Sequence, residues 1–118
     1  MNYILESASP FVLSYRTTKE DQNVNGAVHG GVIFHLCDDA VGRYVTALGK
    51  TGAAADANIH YYRPGKIGEK ITAQVTERKM GRRLGIFLVE ARGEQGKLIA
   101  DSLFTIAFSD APGEQKTL

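Results

Sequence analysis

A single cysteine, Cys37, is all the chain carries, so no internal disulfide can form and a reducing cytoplasm suits it. Neither sign of charge dominates: fourteen Lys and Arg stand against thirteen Asp and Glu, a formal net charge of +1. Such a balance lacks the broad basic footprint of a nucleic-acid binder. No apolar run approaches the ~20 residues that a membrane span requires. The opening residues, Met1 to Ser7, lack the basic start and apolar stretch of a secretory signal. Repeats, low-complexity tracts and linkers are missing as well. These absences leave a cytoplasmic protein whose partners include neither nucleic acid nor membrane.

At 118 residues, the chain reads as one domain, 1–118, large enough for a core yet short for a deep pocket of its own. Two short strands open it near Asn2–Glu6 and Phe11–Thr17, joined around Pro10, and Thr18–Asn25 reads as a loop. From Gly31 to Leu48 the apolar positions Val32, Ile33, Leu36, Cys37, Ala40, Val41, Tyr44, Val45 and Leu48 follow helical spacing. At ~100° per residue they cover more than half the circumference, which predicts a helix wrapped on several sides. Gly49 ends it. Ala53–Arg63, Ile71–Lys79, Leu84–Arg92 and Lys97–Ser109 then alternate as strands. In the first of these, Ala53, Ala55, Ala57, Ile59 and Tyr61 share one face, and Asp56, Asn58, His60 and Tyr62 the other. One long helix followed by four strands predicts an α+β fold, an antiparallel sheet curled around that helix. The tail, residues 110–118, reads as frayed.

The chemistry concentrates between Asn23 and Asp38. Gly30 and Gly31 stand just before the apolar-periodic run, where a helix start exposes backbone N–H groups and favours an oxygen carrying negative charge. Asp38, eight residues beyond Gly30, lies at the edge of the apolar sector, between the directions of Phe34 and Val45. Its neighbour Asp39 points about 100° away and pairs naturally with Arg43 at i+4. Asp39 is the ordinary surface acid. Asp38 is the odd one, although a solvated surface carboxylate is the commonest fate of any aspartate.

The run N-x-x-G-x-x-H-G-G, formed by Asn23, Gly26, His29, Gly30 and Gly31, with Asp38 nine residues after the His, resembles the hotdog-fold acyl-CoA thioesterases of the phenylacetic-acid-degradation type. Asp56-Ala-Asn58-Ile-His-Tyr61-Tyr62-Arg63-Pro64-Gly65 is similar to that family's second signature, and Gly81-Arg82-Arg83 to its usual hairpin. The likeness runs from about residue 11 to 108. It implies a hotdog fold and hydrolysis of an acyl-CoA to free acid and CoA. Coenzyme A is there part of the substrate, and no cofactor is implied. Asp38 would act as general base or nucleophile, and the Gly30 N–H would polarise the thioester carbonyl. His29 and Asn23 would order the loop and the carbonyl pocket, though a backbone-bonding His and a turn-forming Asn are the plainer alternatives. Gly31, in the same turn, would bind substrate. Arg82, Arg83 and, more weakly, Arg63 suit phosphate oxygens of CoA, or are simply solvated charges. Tyr61 and Tyr62 most simply pack, one on each face of their strand.

Two departures stand out. Typical members carry an extra N-terminal helix, so part of the substrate wall would be missing here or come from a partner. Some members place a Ser or Thr two residues before the acid of the second signature, where this chain has Ala54. His35 and His60 have no partner at ligand spacing. A zinc or iron site using His35, Asp38 or Asp39 lacks a third ligand, so no metal is expected.

Helix geometry adds a constraint of its own. Eight residues along a helix is about 12 Å at ~1.5 Å per residue, whereas an attacking oxygen must approach within ~3–3.5 Å of the carbonyl carbon. One chain cannot hold both ends of one thioester. Two antiparallel copies across a two-fold can, which predicts a homodimer, and the resemblance implies pairing of dimers into a homotetramer. The rival expectation is a non-catalytic acyl-CoA-binding dimer, a sensor or accessory subunit. A hotdog dehydratase is disfavoured, because its paired Asp and His spacing is not visible.

Overall fold

The computed structural model describes residues 1–109; the tail expected to fray lies outside them. Eight elements follow in order: strands β1 (Tyr3–Ala8) and β2 (Phe11–Arg16), a 3-10 turn (Lys19–Asp21), helix α1 (Gly30–Ala47), and strands β3 (Gly52–Tyr61), β4 (Lys70–Met80), β5 (Leu84–Arg92) and β6 (Leu98–Phe108). The strands form one antiparallel sheet in the order β1-β2-β4-β5-β6-β3. The sheet curls around α1, which packs against β2 through β6. This is the hotdog architecture.

Alternation builds the inner face. Leu13, Ile71, Ala73, Phe87, Val89, Ala91, Ala100 and Phe104 point inward, all essentially inaccessible to water. From the helix, Ile33, Leu36, Cys37, Ala40, Val41 and Val45 complete the core at 3–4-residue spacing. Alanines opposite alanines let the backbones approach closely, and Phe34 stacks on Phe104 with centroids 5.5 Å apart. Beyond Ala47 the chain leaves the helix through a Schellman arrangement, in which Gly49 (φ 77°) donates to the Thr46 carbonyl at 2.9 Å and Lys50 to Val45 at 3.2 Å.

Three expectations need correction. The helix is covered on its sheet side only: Val32, Phe34 and Tyr44 are half-buried, Leu48 is exposed, and Gly31, His35, Asp38, Gly42 and Thr46 form an open outer side. The inner face of β3 is also different. A bulge between Ala54 and Asp56 shifts the alternation, so that Ala54, Ala57, Ile59 and Tyr61 oppose the inward Ile106, Phe104, Ser102 and Ala100, while Ala53 pairs with the outward Ala107. An extra residue in one strand cannot be seen in a list of alanines. Finally, the stretch Thr18–Asn25 is more than a loop, because it holds the 3-10 turn and the buried Asp21. Among the described residues, no helix is long and apolar enough to cross a membrane.

Candidate functional site

The start of α1 is held by an internally bonded loop. The Asn23 Oδ1 accepts from the N–H groups of Asn25 (2.9 Å) and Ala27 (3.1 Å), and the Asn23 N–H donates to the Ala27 carbonyl at 2.8 Å. Gly26 turns the chain at φ 79°, a conformation other residues adopt at a cost. This loop is then tied to the body at two points: Val28 N–H donates to the Gly65 carbonyl (3.0 Å) and His29 N–H to the Asp21 carbonyl (2.8 Å). Asp21 is itself anchored, its carboxylate accepting from the Tyr15 hydroxyl (2.7 Å) and the Thr18 N–H (2.8 Å). Burial first, and then the bond to Asp21, push the Tyr15 hydroxyl up to about 12. Sequence reasoning missed Asp21, although Thr18-x-x-Asp21 is the spacing of a capping box.

His29 occupies the N-cap position with no side-chain cap bond. Among the described residues the N–H groups of Gly30 and Gly31 have no acceptor, the ordinary condition of a helix's first turn. Gly30 and Asn23 line a depression of about 400 Å3, together with Ile33, Tyr61, Arg63 and Pro64. The free amides, the helix dipole and a partly apolar wall favour an oxygen that gains negative charge. Tyr61 was expected only to pack. Instead its hydroxyl donates to the Gly30 carbonyl at 2.6 Å.

Asp38 stands elsewhere. It lines a second depression, of about 730 Å3, between α1 and the beginning of β3, with Gly42, Thr46, Gly52 and Ala54 around it. Its carboxylate is exposed and has no hydrogen-bond or ion-pair partner among the described residues. Asp39 pairs with Arg43 at 2.6 Å, as its spacing predicted. Asp38 and Gly30 therefore sit in separate depressions of one chain, eight residues or about 12 Å apart along the helix.

The remaining candidates divide. Arg63 lines the Gly30 depression and donates to the Leu98 carbonyl at 3.3 Å. Arg82 and Arg83 are exposed at the β4–β5 turn, at the end of the sheet where Leu84 pairs with Ala107, and line neither depression. Gly31 is exposed, with open space where a Cβ would be. Burial first, then the nearby Asp38 and Asp101 charges, push the Cys37 thiol up to about 12. Fully buried and protonated, Cys37 is no nucleophile. Among the described residues, no three potential metal ligands cluster.

A six-stranded antiparallel sheet curled around one helix defines the hotdog class. The model of the Thioesterase superfamily matches residues 25–100, well over half the chain, and the chain belongs to that family. Mouse acyl-coenzyme A thioesterase 13 is 35% identical over 106 residues, covering 86% of this chain and 76% of its own. The Escherichia coli acyl-coenzyme A thioesterase PaaI is 29% identical over 89 residues, covering 75% and 64%. Among solved structures, a hypothetical thioesterase from Streptococcus pneumoniae, crystallised with coenzyme A, superposes with a TM-score of 0.88 at 26% identity, over 93% of this chain and 88% of its own. The chain spans only 53% to 64% of the length of several curated relatives it matches.

Proposed function

We propose that this chain hydrolyses an acyl-CoA thioester in a site made by two copies of itself. The observation that carries this reading is the separation just described: an oxyanion-binding helix start and a free carboxylate, both on α1, in different depressions. Across a two-fold, Gly30 of one copy meets Asp38 of the other, and two equal sites result. The Gly30 N–H holds the carbonyl oxygen as it gains charge. Asp38 either takes a proton from water as that water attacks, or attacks the carbon itself to give a mixed anhydride that water then opens. CoA leaves as the thiolate.

Sheet edges support the pairing. The outer strand β3 is ten residues long and exposed almost throughout, the kind of bare edge that pairs with another chain. The opposite edge, β1, has six residues, a bulge at Glu6, and that Glu6 bound to Ser14 and Lys70. Next to β3, α1 presents Gly31 and Gly42, where an added Cβ would meet nothing within 4 Å. Arg63 at the mouth of the Gly30 depression suits a CoA phosphate; Arg82 and Arg83 could reach one only from the other copy. The rest of the proposal is a single domain over 1–118 in a cytoplasmic homodimer, itself paired into a homotetramer.

Asp38→Asn tests the chemistry. Turnover of a panel of acyl-CoAs, followed with a thiol reagent, should fall about 10²–10⁴-fold while CoA binding persists. Unchanged rates would remove Asp38 from the mechanism. One observation favours a second reading, a non-catalytic acyl-CoA-binding dimer: Ala54 stands in the Asp38 depression without a hydroxyl. Variants of the Streptococcus pneumoniae protein have been crystallised at an aspartate and at a threonine sixteen positions further on, the interval separating Asp38 from Ala54 here. Micromolar CoA binding with no thioester cleaved would establish that second reading.

A further inference from the structure

Tyr61 is the last residue of β3. It pairs with Ala100 on the inward face, so its side chain reaches toward the start of α1. There its hydroxyl donates to the Gly30 carbonyl at 2.6 Å. The fit is close. A Cβ placed on Gly30 would lie 2.9 Å from both the Tyr61 Cζ and its hydroxyl oxygen, so the half-exposed ring would have to move. Gly30 has no positive φ; the contact its lack of a side chain permits is the one with this ring.

The Gly30 carbonyl and the Gly31 N–H belong to one peptide group. A donor on that carbonyl polarises the whole amide and strengthens its N–H as a donor in turn. It also fixes the plane of the peptide that follows the Gly30 N–H. Burial raises the Tyr61 hydroxyl above its usual range, so it stays protonated and able to donate. Tyr61 and Gly30 line the same depression, yet the hydroxyl is committed to the backbone.

We propose that Tyr61 is a positioning residue, which clamps the start of α1 through the Gly30 carbonyl and thereby orients the Gly30 and Gly31 amides toward the thioester oxygen. The catalytic half of this proposal rests on the thioesterase reading above; the clamp itself does not. In this role the edge strand β3, proposed to meet the second copy, also sets the donor geometry, so the two-fold contact and the oxyanion site are mechanically joined.

Tyr61→Phe keeps the ring and deletes the donor. Amide hydrogen exchange on the purified protein should quicken at Val32 and Ile33, the first amides of α1 with an acceptor, the His29 carbonyl, with no change in the β4–β5 ladder. Unchanged exchange at the helix start would overturn the clamp, whatever the activity. Against acyl-CoA, kcat should fall roughly tenfold with KM within about twofold, the pattern of an interaction that matters in the transition state. Equal kcat in an active enzyme would overturn the catalytic role and leave the thioesterase reading standing. A wild type that cleaves no thioester would overturn that reading and the catalytic role with it, while the exchange comparison still decides the clamp. Tyr61→Leu, lacking hydroxyl and ring, should match Tyr61→Phe in kcat if the hydroxyl is what counts; a far larger loss only in Leu would assign the effect to packing.

Discussion

The first turn of α1 and its third turn are built to opposite specifications. Around Gly30 every neighbour is held: the Asn23 loop bonds to itself, His29 is tied to a buried Asp21, and Tyr61 sits on the glycine with no room for a methyl group. Around Asp38 the only side-chain hydrogen bond among the described residues is the neighbouring Asp39–Arg43 pair. The acid is exposed, unpaired among the described residues, and flanked by glycine, threonine and alanine. Donors that act by preorganisation must be rigid before substrate arrives, because reorienting them during reaction would cost what they contribute. A carboxylate that must meet another chain's substrate needs open space instead. On the proposed two-copy reading, the difference means that one protomer supplies two unlike halves of a site, one finished and one awaiting a partner.

Mixing variants breaks that comparison most directly. Asp38→Asn and Gly30→Val homodimers should each be nearly inactive. Random reassembly of equal amounts makes half the dimers mixed, and each mixed dimer keeps one intact Gly30–Asp38 site of two, so about one quarter of wild-type activity should return. A mixture as inactive as its components would place both residues in one chain's site and end the two-copy mechanism. Next in size is the contrast between adjacent glycines. Gly30→Ala must push the half-exposed Tyr61 ring aside and off its carbonyl, so a stability loss of ~0.5–1.5 kcal/mol is expected, with kcat reduced ~10²–10³-fold as the amides turn. Gly31→Ala meets open space within its own chain and leaves Tyr61 in place, so its loss of stability, read from the melting temperature, should be the smaller of the two. Equal losses in both would mean that the turn, and not the tyrosine, requires glycine.

Much of this contrast was legible in the residues. The helical spacing from Val32 to Val45 located the core stripe, and the i+4 spacing of Asp39 and Arg43 foretold their surface pair. Gly30 and Gly31 marked the helix start. What stayed hidden depends on register and on distant partners. The bulge at Ala55 reverses which alanines face inward, and no local pattern announces one extra residue. Tyr61 looked like packing because its hydroxyl partner is a backbone carbonyl thirty-one residues away, invisible to any side-chain motif. Asp21 was passed over as a loop acid, although Tyr15 six residues earlier is what keeps it inside.

That pair sharpens the rigid side of the comparison. Tyr15→Phe leaves the buried Asp21 carboxylate with one fewer donor, an expected cost of ~1–3 kcal/mol by denaturant titration. The His29 tie runs through the Asp21 backbone, so amide exchange at His29 should also quicken. Alkaline pH reaches the same bond. The folded protein holds the Tyr15 proton to about 12, above the ordinary tyrosine value of about 10, so below pH 10 the contribution is fully present. As pH rises from 10 toward 12 the unfolded chain ionises first, and stability falls. Tyr3 and Tyr44 are likewise raised to about 12, chiefly by burial, so the Tyr15→Phe variant should lose less over that window than wild type, though not nothing. Identical slopes would show that Tyr15 ionises as freely in the fold as out of it.

The smallest expected effect is the most discriminating about the acids. Asp39 is adjacent to Asp38, borders the same depression and carries the same charge, so a site that needed only negative potential would respond to either. Yet Asp39 spends its carboxylate on Arg43 at the surface, a pair worth under ~1 kcal/mol. Asp39→Asn should therefore leave kcat and KM unchanged and lower stability by a few tenths of a kcal/mol, a difference that added salt should shrink. A large loss of turnover in Asp39→Asn, comparable to that in Asp38→Asn, would mean that field and not position makes the carboxylate useful, and the open, unpaired setting of Asp38 would lose its meaning.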